Sequence, residues 1–218
     1  MNKELKNIAV LVSGGGTNLQ AMIDAVQRGD IRRGRIALVL SSSPDAYALT
    51  RAHENGIETC VVSRKEYADR NALTNAILKK FEEYDIDLVV LAGFNYILGA
   101  AFTEKYAGRI MNVHPALIPA FCGPGFYGLH THEAVLAYGV KLTGATVHFV
   151  NEVADGGPII LQKAVEVHDG DTPEILQRRV MEEAEWKLLP AAIDLFCCDR
   201  LVIDGKIVHI LPENAAGQ

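Results

Sequence analysis

The stretch "NIAVLVSGGGTNLQAMIDAVQRG", residues 7–29, sets an apolar run, a glycine cluster and an amphipathic segment side by side. Asn7 to Val12 is predicted to be a buried strand, stopped by Gly14, Gly15 and Gly16. Leu19, Ile23 and Val26 then recur at helical spacing, and Gly29 ends the pattern. A strand that runs through glycines into a helix is the opening unit of a parallel sheet, whose crossovers are helical.

Outward from this unit the alternation continues. "RIALVLSS" (35–42), "IETCVV" (57–62) and "DLVVLAGF" (87–94) are predicted strands; "SPDAYALTRAHENG" (43–56) and "EYADRNALTNAILKKFEEY" (66–84) are predicted helices. Near-continuous Val, Ile and Leu strands between helices imply an α/β fold: a single doubly wound, mostly parallel sheet with helices on both faces and right-handed crossovers. After a short helical piece, "RIMNV" (109–113) reads as a fifth strand, followed by a loop, "HPALIPAFCGPGFYG" (114–128). "THEAVLAYG" (131–139) reads as a helix, and "GATVHFV" (144–150) and "GPIILQKAVEV" (157–167) as added strands. "TPEILQRRVMEEAEWKLLPAAIDLFCC" (172–198) is expected to be one long helix, bent at Pro190. "RLVIDGKIVHI" (200–210) is expected to form a hairpin that turns at Asp204-Gly205. With no repeat, low-complexity tract or linker, residues 1–218 are expected to form one domain.

Composition narrows the function. Hydrophobic residues are 49% and charged residues 22%, ordinary for a globular chain. The net charge of −6, with scattered Lys and Arg, argues against nucleic acid as a partner, which would call for a basic stripe. No apolar run is long enough for a membrane span, and the N-terminus does not read as a signal peptide. Cys60, Cys122, Cys197 and Cys198 lack C-x-x-C spacing and suggest reduced thiols of a cytoplasmic protein.

The loop "SGGGTNLQ" (13–20) aims backbone N–H groups and a helix dipole at one spot, an arrangement that holds an anion. It is not a dinucleotide fingerprint: with Gly14 and Gly16 as the first two glycines, position 19 is leucine, and serines rather than an acid cap the second strand. It also lacks the Gly-Lys-Ser/Thr of a P-loop. Two readings stay open, a one-phosphate loop using Gly16, Thr17 and Asn18, or a tight turn and helix cap.

Asn112 and His114 alternate at the carboxyl end of a predicted parallel strand, where residues i and i+2 share a face and open sheets hold ligands. Pro115 stops the strand there. They could form a catalytic pair or simply cap the strand. Asp155 precedes Gly156 and Gly157 in a loop between strands, as a carboxylate aimed inward by a turn or an ordinary turn acid. His130 and His132, with His114 and His148, evoke a metal site. On a helix start, however, positions i and i+2 diverge, so no metal is expected.

Six ordered motifs, "SGGGTNLQ", "LVVLAGF", "NVHPALIPAF", "GLHTH", "TGATVHFV" and "ADGGPIILQ", closely resemble the folate-dependent phosphoribosylglycinamide formyltransferases, from about residue 7 to about residue 195. The resemblance implies transfer of a formyl group from 10-formyltetrahydrofolate, a cosubstrate, to a small amine, through a tetrahedral intermediate and without metal. It implies Asn112 as oxyanion donor, His114 as general acid/base, and Asp155 as its partner, raising the imidazole pKa. By matching positions it assigns Gly16, Thr17 and Asn18 to the ribonucleotide phosphate, and Glu182, Glu183, Ala184 and Glu185 to the glycinamide part. The solvated face of an acidic helix is the simpler account of that last segment. To the folate it assigns Arg70, Asn95, Tyr96, Ile97, Leu98, Asn112, Asn151, Glu152, Val153, Ala154 and Asp155, although Arg70 could equally be a surface charge. Residues 1–100 would then be a phosphate-binding half and 101–218 a folate-binding and catalytic half, in a cytoplasmic monomer or homodimer.

Two departures stand out. Tyr96 occupies a position where the family has an arginine for the folate glutamate tail, and "CGPGFY" (122–127) looks inserted. Related activities share the Asn/His/Asp set. Methionyl-tRNA formyltransferase would be expected to add an RNA-binding domain, and formyltetrahydrofolate hydrolase a regulatory one. A sugar-nucleotide N-formyltransferase, or an idle phosphate-binding module, would use the same glycine loop.

Overall fold

The structure, a computed structural model, describes residues 5–213. The chain divides into two compact units, one up to Met111 and one from Asn112 onward. In the first, β1 (Lys6–Val12), β2 (Gly34–Ser41), β3 (Thr59–Val61) and β4 (Leu88–Leu91) alternate with α1 (Thr17–Arg28), α2 (Tyr47–Glu54) and α3 (Arg70–Phe81). α4 (Ala100–Lys105) leads to β5 (Ile110–His114), within which the boundary falls. β1 pairs in parallel with both β2 and β4, and β2 with β3. Ile8 to Val12 are wholly buried, as a strand covered on both faces requires. The rings of Phe81, Phe102 and Tyr106 join α3 to α4, Phe81 and Phe102 meeting edge-on at 5.7 Å between centroids.

The second unit holds α5 (Leu129–Tyr138), the antiparallel pair β6 (Leu142–Phe149) and β7 (Ile159–Glu166), α6 (Pro173–Val180), α7 (Trp186–Cys197), and the hairpin β8 (Leu201–Asp204) and β9 (Ile207–Ile210). Among the described residues the nine strands take the order β3-β2-β1-β4-β5-β6-β7-β9-β8. The fold is the expected mostly parallel sheet with antiparallel strands added in its C-terminal part.

Several boundaries differ from the sequence reading. The helix expected over 66–84 begins at Arg70, because the Asp69 side chain accepts the Ala72 N–H at 2.9 Å and caps it there. The helix expected over 43–56 begins at Tyr47, since Ser41 and Ser43 bond each other in a local turn instead. The long helix of 172–198 is interrupted by a π turn at Met181–Glu185 and not at Pro190, which lies inside α7. In the hairpin, Asp204 pairs with Ile207, so Gly205 and Lys206 make the turn and Asp204 ends the strand. Gly205 has φ 58°, the left-handed value such turns need.

Candidate active site

In the first unit, the carboxyl ends of β1 and β4 carry neighbouring loops on either side of the point where strand order reverses. Ser13 Oγ lies 2.7 Å from Ser42 Oγ and accepts the Asn95 N–H at 2.9 Å, tying the glycine loop to the loop after β4. Gly16 is the N-cap of α1 with φ 71°. A Cβ there would lie 2.6 Å from Ala48 Cβ, so α2 packs against the bare backbone. Thr17 opens α1 and Asn18 follows it; both are half-buried. Arg51 donates Nε–H to the Gly15 carbonyl at 2.9 Å, bringing a cation to the loop that sequence reasoning did not single out. Asn95, Tyr96 and Ile97 are exposed, Leu98 is half-buried, and Tyr96 meets Phe94 edge-on at 5.9 Å. Arg70 is exposed in the first turn of α3.

In the second unit, the chemistry-bearing residues converge. Asn112 is half-buried on β5, and His114, 3% exposed, is its last residue. Asp155 sits at φ 53°, a strained conformation for a non-glycine residue, in the loop between β6 and β7. That loop is knotted by its own bonds: Asn151 Oδ1 accepts the Val153 N–H at 2.9 Å, and the Val153 carbonyl accepts the Gly156 N–H at 3.0 Å. Gly157 must lack a side chain, because a Cβ would lie 1.8 Å from the Phe149 carbonyl oxygen. Asn151 to Ala154 are exposed around the turn.

Asp155 Oδ2 lies 3.5 Å from His114 Nδ1, and Oδ1 lies 3.6 Å from His148 Nε2. His148 also approaches Asn112 Nδ2 at 3.2 Å, while its Nδ1 lies 2.8 Å from the Phe149 carbonyl. A carbonyl only accepts, so Nδ1 of His148 carries the proton. In the neutral ring Nε2 is then the acceptor, which turns the Asn112 amide N–H toward it and leaves the other N–H available. His148 follows a register shift at Val147/His148, a bulge that re-aims its side chain. The sequence reading named His148 only among the histidines of a metal site that it set aside, not as a partner of Asn112 or Asp155. Its signal was the alternation of Thr146 and His148, two polar side chains within a buried strand, as with Asn112 and His114.

The electrostatics correct one expectation. His114 does not have a raised pKa: burial lowers it, and this outweighs the opposing effects of Asp155 and the Phe121 carbonyl. For Asp155, burial works upward, but the His148 ring once protonated, the Gly123 N–H and the His114 imidazolium together hold it below the usual carboxylate range. An ionised carboxylate therefore faces an imidazole that rests neutral near pH 7. Such a ring is a proton acceptor whose protonated form is stabilised once made.

The acidic segment divides. Glu182 and Glu183 are exposed, with Glu182 accepting from Arg178 at 2.7 Å, so for them the solvated face is the fitting account. Ala184 and Glu185 are buried within the π turn, which packs against β6 and β7. His130 and His132 diverge: His130 is exposed beside Glu133 at 3.0 Å, while His132 is wholly buried. Among the described residues, no three His, Cys, Asp or Glu side chains are grouped to hold a metal ion, and no helix is long and apolar enough to cross a membrane.

Residues 6–193 match the model of the formyl transferase family. The chain is 39% identical over 206 residues to the phosphoribosylglycinamide formyltransferase of Haemophilus influenzae, covering 94% of each chain. It is 43% identical over 202 residues to the trifunctional purine biosynthetic protein adenosine-3 of Gallus gallus, with 92% of this chain matching 19% of that longer protein. Among solved structures, glycinamide ribonucleotide transformylase 1 from Symbiobacterium toebii superposes with a TM-score of 0.90 at 42% identity, covering 96% of this chain and 95% of that one.

Proposed function

We infer the reaction from a settled premise: this chain belongs to the formyl transferase family. It transfers the formyl group of 10-formyltetrahydrofolate to the amine of 5-phosphoribosylglycinamide, giving formylglycinamide ribonucleotide and tetrahydrofolate in de novo purine biosynthesis. Support comes from relatives bearing that activity in their names along nearly the whole chain. The observation that carries the mechanism is the linked set Asn112–His148–Asp155–His114 within one unit.

The amine attacks the formyl carbon, and the carbonyl oxygen becomes an oxyanion. The Asn112 N–H not engaged by His148 donates to that oxygen. As the C–N bond forms, the amine nitrogen becomes positive and sheds a proton to neutral His114, whose imidazolium Asp155 stabilises. The same proton then goes to N10 of the folate as the C–N10 bond breaks, so no proton is gained or lost overall. The glycine loop with Gly16, Thr17 and Asn18 takes the ribonucleotide phosphate, and buried Glu185 accepts a hydrogen bond from the neutral amino group of the glycinamide part. For the folate the candidate residues are Arg70, Asn95–Leu98, Asn112 and Asn151–Asp155. Tyr96 cannot form an ion pair with a glutamate tail, so donors differing in tail length should bind with similar affinity. The setting fits a cytoplasmic monomer or homodimer acting on small molecules.

The test follows tetrahydrofolate release by absorbance with three acceptors in parallel. Turnover with phosphoribosylglycinamide alone is expected. Turnover with an amino sugar nucleotide instead would assign the chain to sugar modification, and release without any amine would make it a hydrolase.

A further inference from the structure

The turn Phe121–Gly123 joins the motif that ends at Phe121 to the stretch 122–127, which the sequence reading takes as inserted, and two of its backbone groups reach the catalytic residues. The Phe121 carbonyl lies 2.7 Å from His114 Nε2, and the Gly123 N–H donates to Asp155 Oδ2 at 2.8 Å. Phe121 adopts φ 49° and Gly123 φ 89°, so this turn holds a left-handed conformation at a non-glycine residue. Side chains brace it: the Phe121 ring meets Phe126 and Tyr138 edge-on at 6.3 and 5.8 Å. Upstream, Thr146 Oγ1 accepts the Ile118 N–H at 3.1 Å, and Gln162 donates to the Ile118 carbonyl at 3.0 Å.

Resting on the formyl-transfer reading above, we propose that the Phe121–Gly123 turn is a positioning element for the His114–Asp155 pair. Because a carbonyl only accepts, Phe121 fixes the His114 proton on Nε2 and leaves Nδ1, facing Asp155, as the one basic nitrogen. The Gly123 N–H anchors the carboxylate that receives this nitrogen's charge. The proton taken from the amine is thereby directed to the Asp155 side of the ring. The other groups bearing on this pair are His148 and Cys122 beside Asp155, and buried His132, which acts on His114.

Gly123→Ala is the discriminating variant. Its Cβ would meet nothing within 4 Å, so the fold has room for it, but φ 89° is unfavourable for alanine and the turn must relax. Loss of a hydrogen bond to a charged group should lower kcat about ten- to a hundredfold, with KM for the amine near the parent's. The acid limb of the pH profile should move upward, since Asp155 loses a donor that favours its ionised form. Independently of any substrate, ring ¹⁵N shifts of the free parent protein should show His114 as the Nε2–H tautomer at neutral pH, and Gly123→Ala should lose that preference. Should the variant misfold, replacing the Gly123 amide by an ester removes the N–H alone and should shift the Asp155 titration upward. A parent ring with its proton on Nδ1, or a Gly123 variant with unchanged kcat and acid limb, would overturn the proposal. These NMR readouts stand even if phosphoribosylglycinamide proves to be the wrong acceptor.

Discussion

At the scale of single residues, the site depends on which atoms can donate. Asn112 is held by His148, and His148 by the Phe149 carbonyl, so one amide N–H is committed and one is left for the oxyanion. Asn112→Ala should therefore reduce kcat about 10²–10³-fold with little change in KM, as loss of an oxyanion donor does; steady-state kinetics on the purified variant decides this. Asn112 and His114 were legible as letters because polar side chains at alternate positions stand out where a buried strand ends. The Phe121 carbonyl and the Gly123 N–H were not, since every residue but proline carries both groups and only the fold says where they point. The direction of the His114 pKa was misread for a related reason. A partner carboxylate can be matched in sequence, whereas burial is visible only in three dimensions.

At the scale of elements, the parallel strands were readable because burial on both faces leaves near-continuous apolar runs. The π turn at Met181–Glu185 was not, because its letters fit an α-helix equally well. At the glycine loop the sequence left two readings open, and the packing adds a physical constraint. A methyl group at Gly16 would collide with Ala48 on α2 and would also have to adopt φ 71°. Gly16→Ala should thus lower the thermal midpoint and weaken binding of the nucleotide acceptor, seen as a raised KM for that substrate with the KM for formyl folate nearly unchanged. An equal rise in both constants would contradict a phosphate role for the loop.

At the scale of the whole molecule, acid stability should follow buried histidine. Burial, with a smaller contribution from His114, lowers His132 from 6.5 to about 4. The unfolded chain then binds more protons than the folded one between these values, so stability falls as pH drops through that window. The ring alone accounts for about 3 kcal/mol across it, and the lowered pKa of His114 acts in the same direction. Urea unfolding at pH 7 and pH 5 should show about 2 kcal/mol of this loss in the parent, since pH 5 lies within the window, and a clearly smaller one in His132→Phe. Identical losses would place the sensitivity elsewhere. Below about pH 4, Asp171 joins in, its carboxyl held at about 2 by the Arg179 guanidinium, which is bonded to it twice at 2.6 Å.

The claim beneath all of this is that an ionised carboxylate at Asp155 makes neutral His114 a usable base for formyl transfer. The most direct measurement compares tetrahydrofolate release from 10-formyltetrahydrofolate and phosphoribosylglycinamide by the parent and by Asp155→Asn, which keeps the side chain's size and removes its charge. Expected are steady turnover by the parent and a fall in kcat of about 10²–10⁴ in the variant, with its fold intact by circular dichroism. Equal rates from the two proteins would contradict it.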